Sequence, residues 1–217
     1  CDSGYCRAPT PATMECDAYR NARGDSALTV GIRNSTDATI YVQPYLSGCN
    51  DTARLVRAFH QGREVFLQRV VACGAVCQDI QDDADAPVCI TACSEAPLIR
   101  IESGGVAMLG PLRSQFVSHG LLSGTLAMPR ECVPGERDDR SCQSEAPLED
   151  GVYELHARAR LNCESRVDGS CECVKSRPDG TCQTGAFATD KYGELPDGIA
   201  ATATVDLAEG NVTLVFQ

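Results

Sequence analysis

The sequence predicts an all-β fold, an antiparallel immunoglobulin-like β-sandwich with long disulfide-stapled loops. Three observations lead to this fold class. About seven to nine short runs alternate apolar and polar residues with the period of two of a half-buried strand. Turn residues separate these runs, and no long stretch has the spacing of a helix. The 14 cysteines of the 217-residue chain fall almost wholly between the runs. We expect the strands to form one sandwich domain over residues 26–217, with a barrel as the alternative.

The N-terminal part of the chain predicts an irregular leader and two strand pairs. Residues 1–25 contain prolines and three cysteines that break any period. Residues 28–33 and 40–42 alternate around an Asn-Ser-Thr-Asp turn, which predicts a β-hairpin. Residues 54–59 and 64–71 predict a second pair around a Gln-Gly turn, with a short helix over 64–71 as the alternative.

The middle of the chain predicts an acidic loop and further strands. The loop covers residues 73–93 and is bounded by two C-x3-C pairs. Residues 98–102 then resume strand character, and a Ser-Gly-Gly turn follows. Two more candidate strands lie within 106–128, around Val117 and Leu126, where glycines punctuate the segment.

The C-terminal third carries the clearest strand pattern. A second cysteine-rich loop covers residues 162–185, and two final strands at 199–207 and 212–216 flank a Glu-Gly-Asn turn. The clearest strand precedes that loop, with a dry face of Tyr153, Leu155, Ala157, Ala159 and Leu161 and a wet face of Glu154, His156, Arg158 and Arg160.

The cysteines predict disulfides and not a zinc site. Structural zinc sites use C-x2-C pairs with histidine or cysteine partners, and the chain contains no C-x2-C. Bridges in this number persist in oxidising compartments, so we expect an exported protein. The disulfide candidates are Cys6, Cys16, Cys49, Cys73, Cys77, Cys89, Cys93, Cys132, Cys142, Cys163, Cys171, Cys173 and Cys182.

The twin C-x3-C pairs leave two arrangements open. Cys73 and Cys77 could bridge Cys93 and Cys89 as a ladder across the acidic loop. Alternatively, each cysteine reaches a separate strand. In either arrangement we expect these four cysteines to stabilise the fold and not to take part in a reaction.

Cys171 and Cys173 are the candidates for thiol chemistry, because a bridge between them would close a strained, easily reduced ring. Nearby carboxylates would raise the thiol pKa and disfavour a reactive thiolate. We therefore expect the two cysteines to have separate partners, drawn from Cys163, Cys182 and Cys132.

Cys1 stands where a mature bacterial lipoprotein carries its lipid, so the sequence predicts lipid attachment at Cys1. Lipidation leaves an odd number of cysteines, whereas a fully paired set needs Cys1 in a bridge with Cys6 or Cys16. No apolar run approaches the roughly 18 residues of a membrane span. Membrane association is therefore expected only through a lipid on Cys1.

The charge of the chain limits its partners. Its formal net charge of −11 and pI near 4.7 would repel a polyanion, so we expect no nucleic-acid partner. An envelope protein or polysaccharide is the expected class of partner.

One acidic cluster could hold calcium, and no other cofactor is expected. Four aspartates within seven residues offer the oxygen ligands that calcium prefers. Their spacing departs from the EF-hand loop, which needs glycine at position six and glutamate at position twelve. The alternative is a solvated loop tip. The candidate ligands are Asp79, Asp82, Asp83 and Asp85.

No catalytic residues are predicted. The three histidines, His60, His119 and His156, are scattered, and the chain has no G-x-S-x-G elbow. His119 follows Ser118 directly, but neighbours on a strand point to opposite faces.

Several of these segments together resemble the cysteine-rich lipoproteins of myxobacteria and related bacteria. The segments are residues 28–42 (LTVGIRNSTDATIYV), the double C-x3-C before Pro-Leu-Ile-Arg-Ile, the Met128 to Cys142 loop, the Gly-Val-Tyr strand start and the cysteine-rich loop before residues 201–216. The similarity covers most of the chain from about residue 26. It implies a bacterial source, export and this fold, and it assigns no functional residue.

These observations predict an exported, lipid-anchored binding or structural module of the bacterial cell envelope, without catalysis. It would lie in the periplasm or at the outer membrane or cell surface of a Gram-negative bacterium. The alternatives are a small exported thiol/disulfide redox protein and a protease inhibitor that presents residues 133–141 or 174–181 as a rigid loop.

Overall fold

The computed structural model describes residues 16–42, 45–47, 50–67, 75–82, 97–121, 124–134, 140–163, 171–187 and 198–217. Its strands are β1 (Leu28–Asn34), β2 (Ile40–Val42), β3 (Tyr45–Ser47), β4 (Asn50–Arg54), β5 (Arg57–His60), β6 (Arg63–Val65), β7 (Pro97–Ile101), β8 (Val106–Leu112), β9 (Ser114–His119), β10 (Cys142–Pro147), β11 (Val152–Arg160), β12 (Cys173–Ser176), β13 (Cys182–Phe187), β14 (Gly198–Asp206) and β15 (Asn211–Phe216). The short helix α1 (Cys77–Gln81) and 3-10 turns at Arg130–Cys132 and Leu207–Glu209 complete the elements of these residues. The fold is all-β, as the alternating pattern predicts.

Two sheets share one hydrophobic core. The small sheet has the order β15-β1-β8, and the large sheet has the order β12-β13-β7-β2-β11-β5-β6, with β14 paired to β11. Two further ribbons, β9–β10 and β3–β4, lie outside these sheets. An immunoglobulin-like strand order stays a prediction. The core joins Leu28, Val30, Ile32, Leu214 and Phe216 of the small sheet to Ile40, Val42, Ile101, Tyr153, Leu155 and Val205 of the large sheet.

The predicted hairpin of residues 28–33 and 40–42 is wrong. β1 belongs to the small sheet, where it pairs with β15 and β8, whereas β2 belongs to the large sheet, where it pairs with β7 and β11. The final pair separates in the same way, because β14 joins the large sheet and β15 the small one. Alternation shows that a strand has a buried face, but it does not say which neighbour the strand pairs with.

Asn34 holds the crossing between β1 and β2. Its side chain is fully buried, and its Nδ2 donates to the carbonyl oxygens of Ala38 at 2.7 Å and Ile101 at 3.0 Å. Its Oδ1 accepts from the backbone N–H and the hydroxyl of Thr36, at 3.0 and 2.8 Å. The Gly104 N–H donates to the Asn34 carbonyl oxygen at 2.8 Å. One amide therefore ties together the two connections by which the chain changes sheets.

The second predicted pair is confirmed over part of its length. β5 and β6 form an antiparallel hairpin, and the turn residues Gln61 and Gly62 have φ of 50° and 75°. This left-handed turn matches the twist of a two-residue hairpin and suits glycine at its second position. Residues 68–71 of the prediction lie outside the described residues.

Three residues depart from the predicted strand pattern. Leu126 is 87% exposed and lies in an irregular segment, so no strand forms around it. Leu161 is exposed because β11 ends at Arg160, before it. Arg160, expected on the wet face, is buried because this end of β11 lies between β14 and β2.

The β12–β13 hairpin lies within residues 162–185, where the sequence predicted a loop, and it reaches across to the edge of the small sheet. Cys173 and Cys182 therefore lie in strands, as does Cys142 of β10, because the bridges join strand ends as well as loops. The turn carboxylate of Asp179 accepts from the backbone N–H of Met108 on β8 at 2.8 Å, and Arg177 Nη2 donates to the Met108 carbonyl oxygen at 3.3 Å. Arg177 and Asp179 also form an ion pair at 3.2 Å. Together the two side chains occupy the donor and the acceptor that Met108 would otherwise offer to another strand.

The contacts of Asp179 predict acid-sensitive stability. Burial by itself would raise the pKa of Asp179, but hydrogen bonds from Thr181, Met108 and Arg177 outweigh it and lower the pKa from 3.8 to about 2. The ionised carboxylate is thus worth roughly 2 kcal/mol above pH 4, and this contribution disappears as pH falls from about 4 to 2. Asp179→Asn should lose that amount near neutral pH and flatten the acid limb of the stability curve. Urea denaturation of both proteins from pH 2 to 7 measures this, and parallel acid limbs would refute it.

Candidate functional site

The outer face of the large sheet carries the candidate binding site. Along β11, Tyr153, Leu155, Ala157 and Ala159 point into the core, so the alternate residues face outward. Register then sets the outward neighbours: Arg57 lies opposite His156, Phe59 opposite Glu154, and Ala200 opposite Arg158. Strands β5, β11 and β14 therefore contribute to one surface.

This surface contains a groove with a volume of about 440 Å³. The small residues Gly62 of the β5–β6 turn and Ala200 of β14 lie beside the long side chains of β5 and β11. The groove is lined by Arg57, Phe59, Gly62, Glu154, His156, Ala157, Arg158 and Ala200.

The Phe59 ring connects the charged groups of the groove. The Arg57 guanidinium lies 5.0 Å from the ring centroid, and the His156 ring meets Phe59 edge-on at 5.2 Å. His156 Nε2 lies 2.8 Å from a carboxylate oxygen of Glu154. Arg57 donates twice to Glu64, at 2.9 and 3.1 Å. Neighbouring groups on the sheet thus hold the orientation of these side chains before any ligand arrives.

The groove combines the groups that small polar ligands need. It offers guanidinium donors, a carboxylate acceptor and apolar ring surface within one concavity, an arrangement typical of sites that fix a ligand by a few placed polar contacts. Its charges are mixed, since Arg57, Arg158 and Glu154 line it and Arg57 is bonded to Glu64. Glu154, His156 and Arg158 of the predicted wet face therefore line a groove.

The groove could be predicted only in part from the sequence. Glu154, His156 and Arg158 follow from the alternation in β11, which places them on a wet face. Arg57 and Ala200 lie 101 and 42 positions from Arg158 in the sequence, and no local signal links them. Only the strand register brings the three side chains together.

All eight described cysteines lie in disulfides, as expected of a protein outside the cytosol. The pairs are Cys16–Cys132, Cys77–Cys142, Cys163–Cys171 and Cys173–Cys182. Cys171 and Cys173 thus have separate partners, and no bridge closes the C-x-C segment. Cys1, Cys6, Cys49, Cys73, Cys89 and Cys93 lie outside the described residues.

The Cys77–Cys142 bridge corrects the ladder arrangement, which paired Cys77 within the acidic loop. The segment before α1 runs beside β10, where the Gln143 N–H donates to the Ala75 carbonyl oxygen at 2.9 Å. This contact brings Cys77 to the start of β10. The bond from Cys16 to Cys132 likewise leaves only Cys6, of the two partners considered, for a bridge to Cys1.

These two long-range bridges form a second, separate core. Cys77 and Cys142 are fully buried in it, and Gln81 Nε2 donates to the Cys16 carbonyl oxygen at 2.7 Å. The cluster fastens the end of the leader to α1 and β10. Its buried members are Cys77, Ile80, Met128, Cys132, Val133 and Cys142.

The calcium candidates are only partly described. Asp79 lies in α1, and Asp82 follows α1 and forms an ion pair with Arg20 at 3.3 Å. Asp83 and Asp85 lie outside the described residues. Within the described ranges, no three His, Cys, Asp or Glu side chains are grouped as metal ligands.

The three histidines occupy separate environments. His60 is buried against Tyr153, and His156 lines the groove. His119 lies 3.0 Å from the hydroxyl of Ser144, a partner that adjacency in the sequence does not reveal. Burial lowers the pKa of His119. Ser144 is only 3% exposed, so this serine–histidine pair is closed to a substrate.

Comparisons with protein-family models, curated proteins and solved structures found no match to this chain. Among the described residues, no helix has the length and hydrophobicity needed to cross a membrane.

Proposed function

We propose that this protein is an exported binding module of a bacterial cell envelope, stapled by disulfides and anchored through a lipid on Cys1. Its groove on β5, β11 and β14 would contact an envelope protein or polysaccharide. The observation that carries the binding role is the groove itself, a concave surface in which donors, an acceptor and an aromatic ring converge. The four disulfides support export.

The charged side chains beside the Phe59 ring in the groove favour a saccharide polymer over a purely apolar ligand. Sugar hydroxyls need both donors and acceptors, which Arg158 and Glu154 supply on the same face of β11. Co-sedimentation with isolated peptidoglycan sacculi, and binding to purified lipopolysaccharide, test two such polymers directly. Binding to either one supports the proposal, and binding to neither removes a saccharide role.

A pair of arginine variants tests whether the groove is the contact surface. Arg158→Ala removes a groove donor, whereas Arg33→Ala removes the same charge from an exposed site on the small sheet. We expect Arg158→Ala to weaken polymer binding about tenfold, as a lost charge-assisted hydrogen bond would. Arg33→Ala should leave it unchanged. Equal effects of the two variants would show general charge attraction and exclude a groove site.

Thiol titration and intact mass separate this proposal from a redox protein. A lipid-anchored module should carry an acyl mass on Cys1 and at most one titratable thiol among its remaining cysteines. A reactive dithiol at Cys171 and Cys173 would instead titrate as two thiols without denaturant. A mature mass with no acyl addition would remove the lipid anchor.

The inhibitor alternative gains no support from the 174–181 segment. Its turn residues Arg177 and Asp179 are bound to Met108 of β8. They are therefore held against the small sheet, whereas an inhibitor loop presents such residues to a protease.

A further inference from the structure

One side of the sandwich ends in two strands that have a single partner each. β14 pairs with β11 in the large sheet, and β15 pairs with β1 in the small sheet; no other described strand pairs with either. The four-residue connection 207–210 keeps these strands next to each other. Both are edge strands, and edge strands are natural templates for pairing with another chain.

The hydrogen bonds of β14 show which of its residues face the open edge. The Leu207 N–H donates to the Gly151 carbonyl oxygen at 2.9 Å, and the register continues from this pair along β11. In an antiparallel pair, alternate residues bond to the same neighbour. Odd-numbered residues of β14 therefore bond to β11. The N–H and C=O groups of Gly198, Ala200, Thr202 and Thr204 point the other way.

The edge formed by β8 and the side formed by β14 and β15 differ in the residues that protect them. The free edge of β8 is occupied at Met108 by Asp179 and Arg177, and β8 also contains Pro111, which has no N–H. By contrast, residues 198–205 and 211–217 contain no charged residue and no proline, although charged residues make up 23% of the chain. Charge and proline are the usual devices that prevent edge pairing, and in β14 and β15 the only such residue is Asp206, at the end of β14.

We propose that β14 pairs antiparallel with β14 of a second copy of this chain. A register centred on Thr202 places Thr202 opposite its own symmetry mate and Ala200 opposite Thr204, with the edge-facing groups of both strands in contact. The charged Asp206 then lies opposite Gly198, so no like charges meet along the ribbon. A second copy is the favoured partner because this edge is complementary to itself.

The pairing would also join two binding sites. Ala200 of β14 lines the groove, so the twofold axis through Thr202 sets the two grooves beside each other on one continuous sheet. A repetitive polymer could then occupy both grooves, which raises its overall affinity by bivalency. This consequence rests on the proposed function, whereas the dimer itself does not.

A charge-swap experiment on purified protein tests the dimer without any ligand. Sedimentation velocity over a concentration series should show a reversible monomer–dimer equilibrium, strengthened by salt because each copy carries a charge of −11. Thr202→Lys and Thr202→Glu each oppose like charges at the axis and should weaken the dimer about fivefold. Mixing the two variants should restore it, because opposite charges then meet.

Met108→Lys supplies the control, since it adds the same side chain to an exposed position on the occupied edge. It should dimerise as the parent protein does. Hydrogen exchange at the Thr202 N–H should slow as protein concentration rises. A monomer at all concentrations would overturn the proposal, as would a mixture that does not recover. Thr202 protection that is independent of concentration would mean that the chain covers its own edge, which also overturns it.

Discussion

Removing the Cys77–Cys142 disulfide is expected to destabilise the protein more than removing any short-range bridge. The bond joins cysteines separated by 65 residues, and both are fully buried in the second core. In the chain-entropy model a loop of that length corresponds to about 4 kcal/mol of stabilisation, which acts by restricting the unfolded chain. The double variant Cys77→Ala/Cys142→Ala should lose about that amount.

The matched control is Cys163→Ala/Cys171→Ala, which opens a bridge with a separation of only eight residues between partly buried cysteines. The same model assigns this shorter loop about 2.5 kcal/mol. Urea denaturation of both double variants and the parent, at one pH and without reductant, measures the difference. Equal losses, or a larger loss for the short loop, would contradict the dependence of the stabilisation on loop length and burial.

Replacing Asn34 by alanine is expected to cost about 2–4 kcal/mol, because it removes four hydrogen bonds of one buried side chain, one of them to a buried carbonyl oxygen. The carbonyl oxygen of Ile101 would lose the Asn34 donor, and the N–H of Thr36 would lose its acceptor. The carbonyl oxygen of Ala38 would keep only the hydroxyl of Thr36. The substitution also leaves a small cavity in a fully buried position. We expect a lower melting temperature together with faster hydrogen exchange in residues 35–39 and 102–105.

Asn211→Ala is the control for Asn34, because Asn211 is exposed at the start of β15. Its effect should stay within about 0.5 kcal/mol. Asn34→Asp keeps the oxygen that accepts from Thr36 and removes the N–H groups that donate to Ala38 and Ile101. Its loss of stability therefore measures the two donated bonds apart from the two accepted ones. If Asn34→Ala matched Asn211→Ala, the amide would not be what holds the two crossings.

The strands whose burial alternates were predictable because a strand has only two faces. Tyr153, Leu155, Ala157 and Ala159 are all buried, and so are Leu28, Val30 and Ile32. Local pattern is sufficient here, since each side chain needs only to be assigned to the core or to water. The alternation gives the wrong face for Arg160, which was expected to be exposed and is buried where β11 lies between β14 and β2.

Strand partners were not predictable, because short turns serve both hairpins and crossings between sheets. The Gln61-Gly62 turn forms the expected hairpin, and its glycine takes a positive φ. The connection after Asn34 has five residues, still few enough for a hairpin, yet it sends the chain to the other sheet. The difference lies in a buried contact between Asn34 and Ile101, residues 67 positions apart. No window of neighbouring residues contains that information.

The sequence by itself determined the chemical class of this protein, which is an acidic, all-β, cysteine-rich chain. Composition and local alternation are sufficient for these properties, since they depend on each residue and its near neighbours. The tertiary structure alone decided which cysteines are bonded, which strands share a sheet, and which side chains meet in the groove. Those outcomes depend on register and on contacts between distant segments, and they place Arg57, Arg158 and Ala200 on one surface.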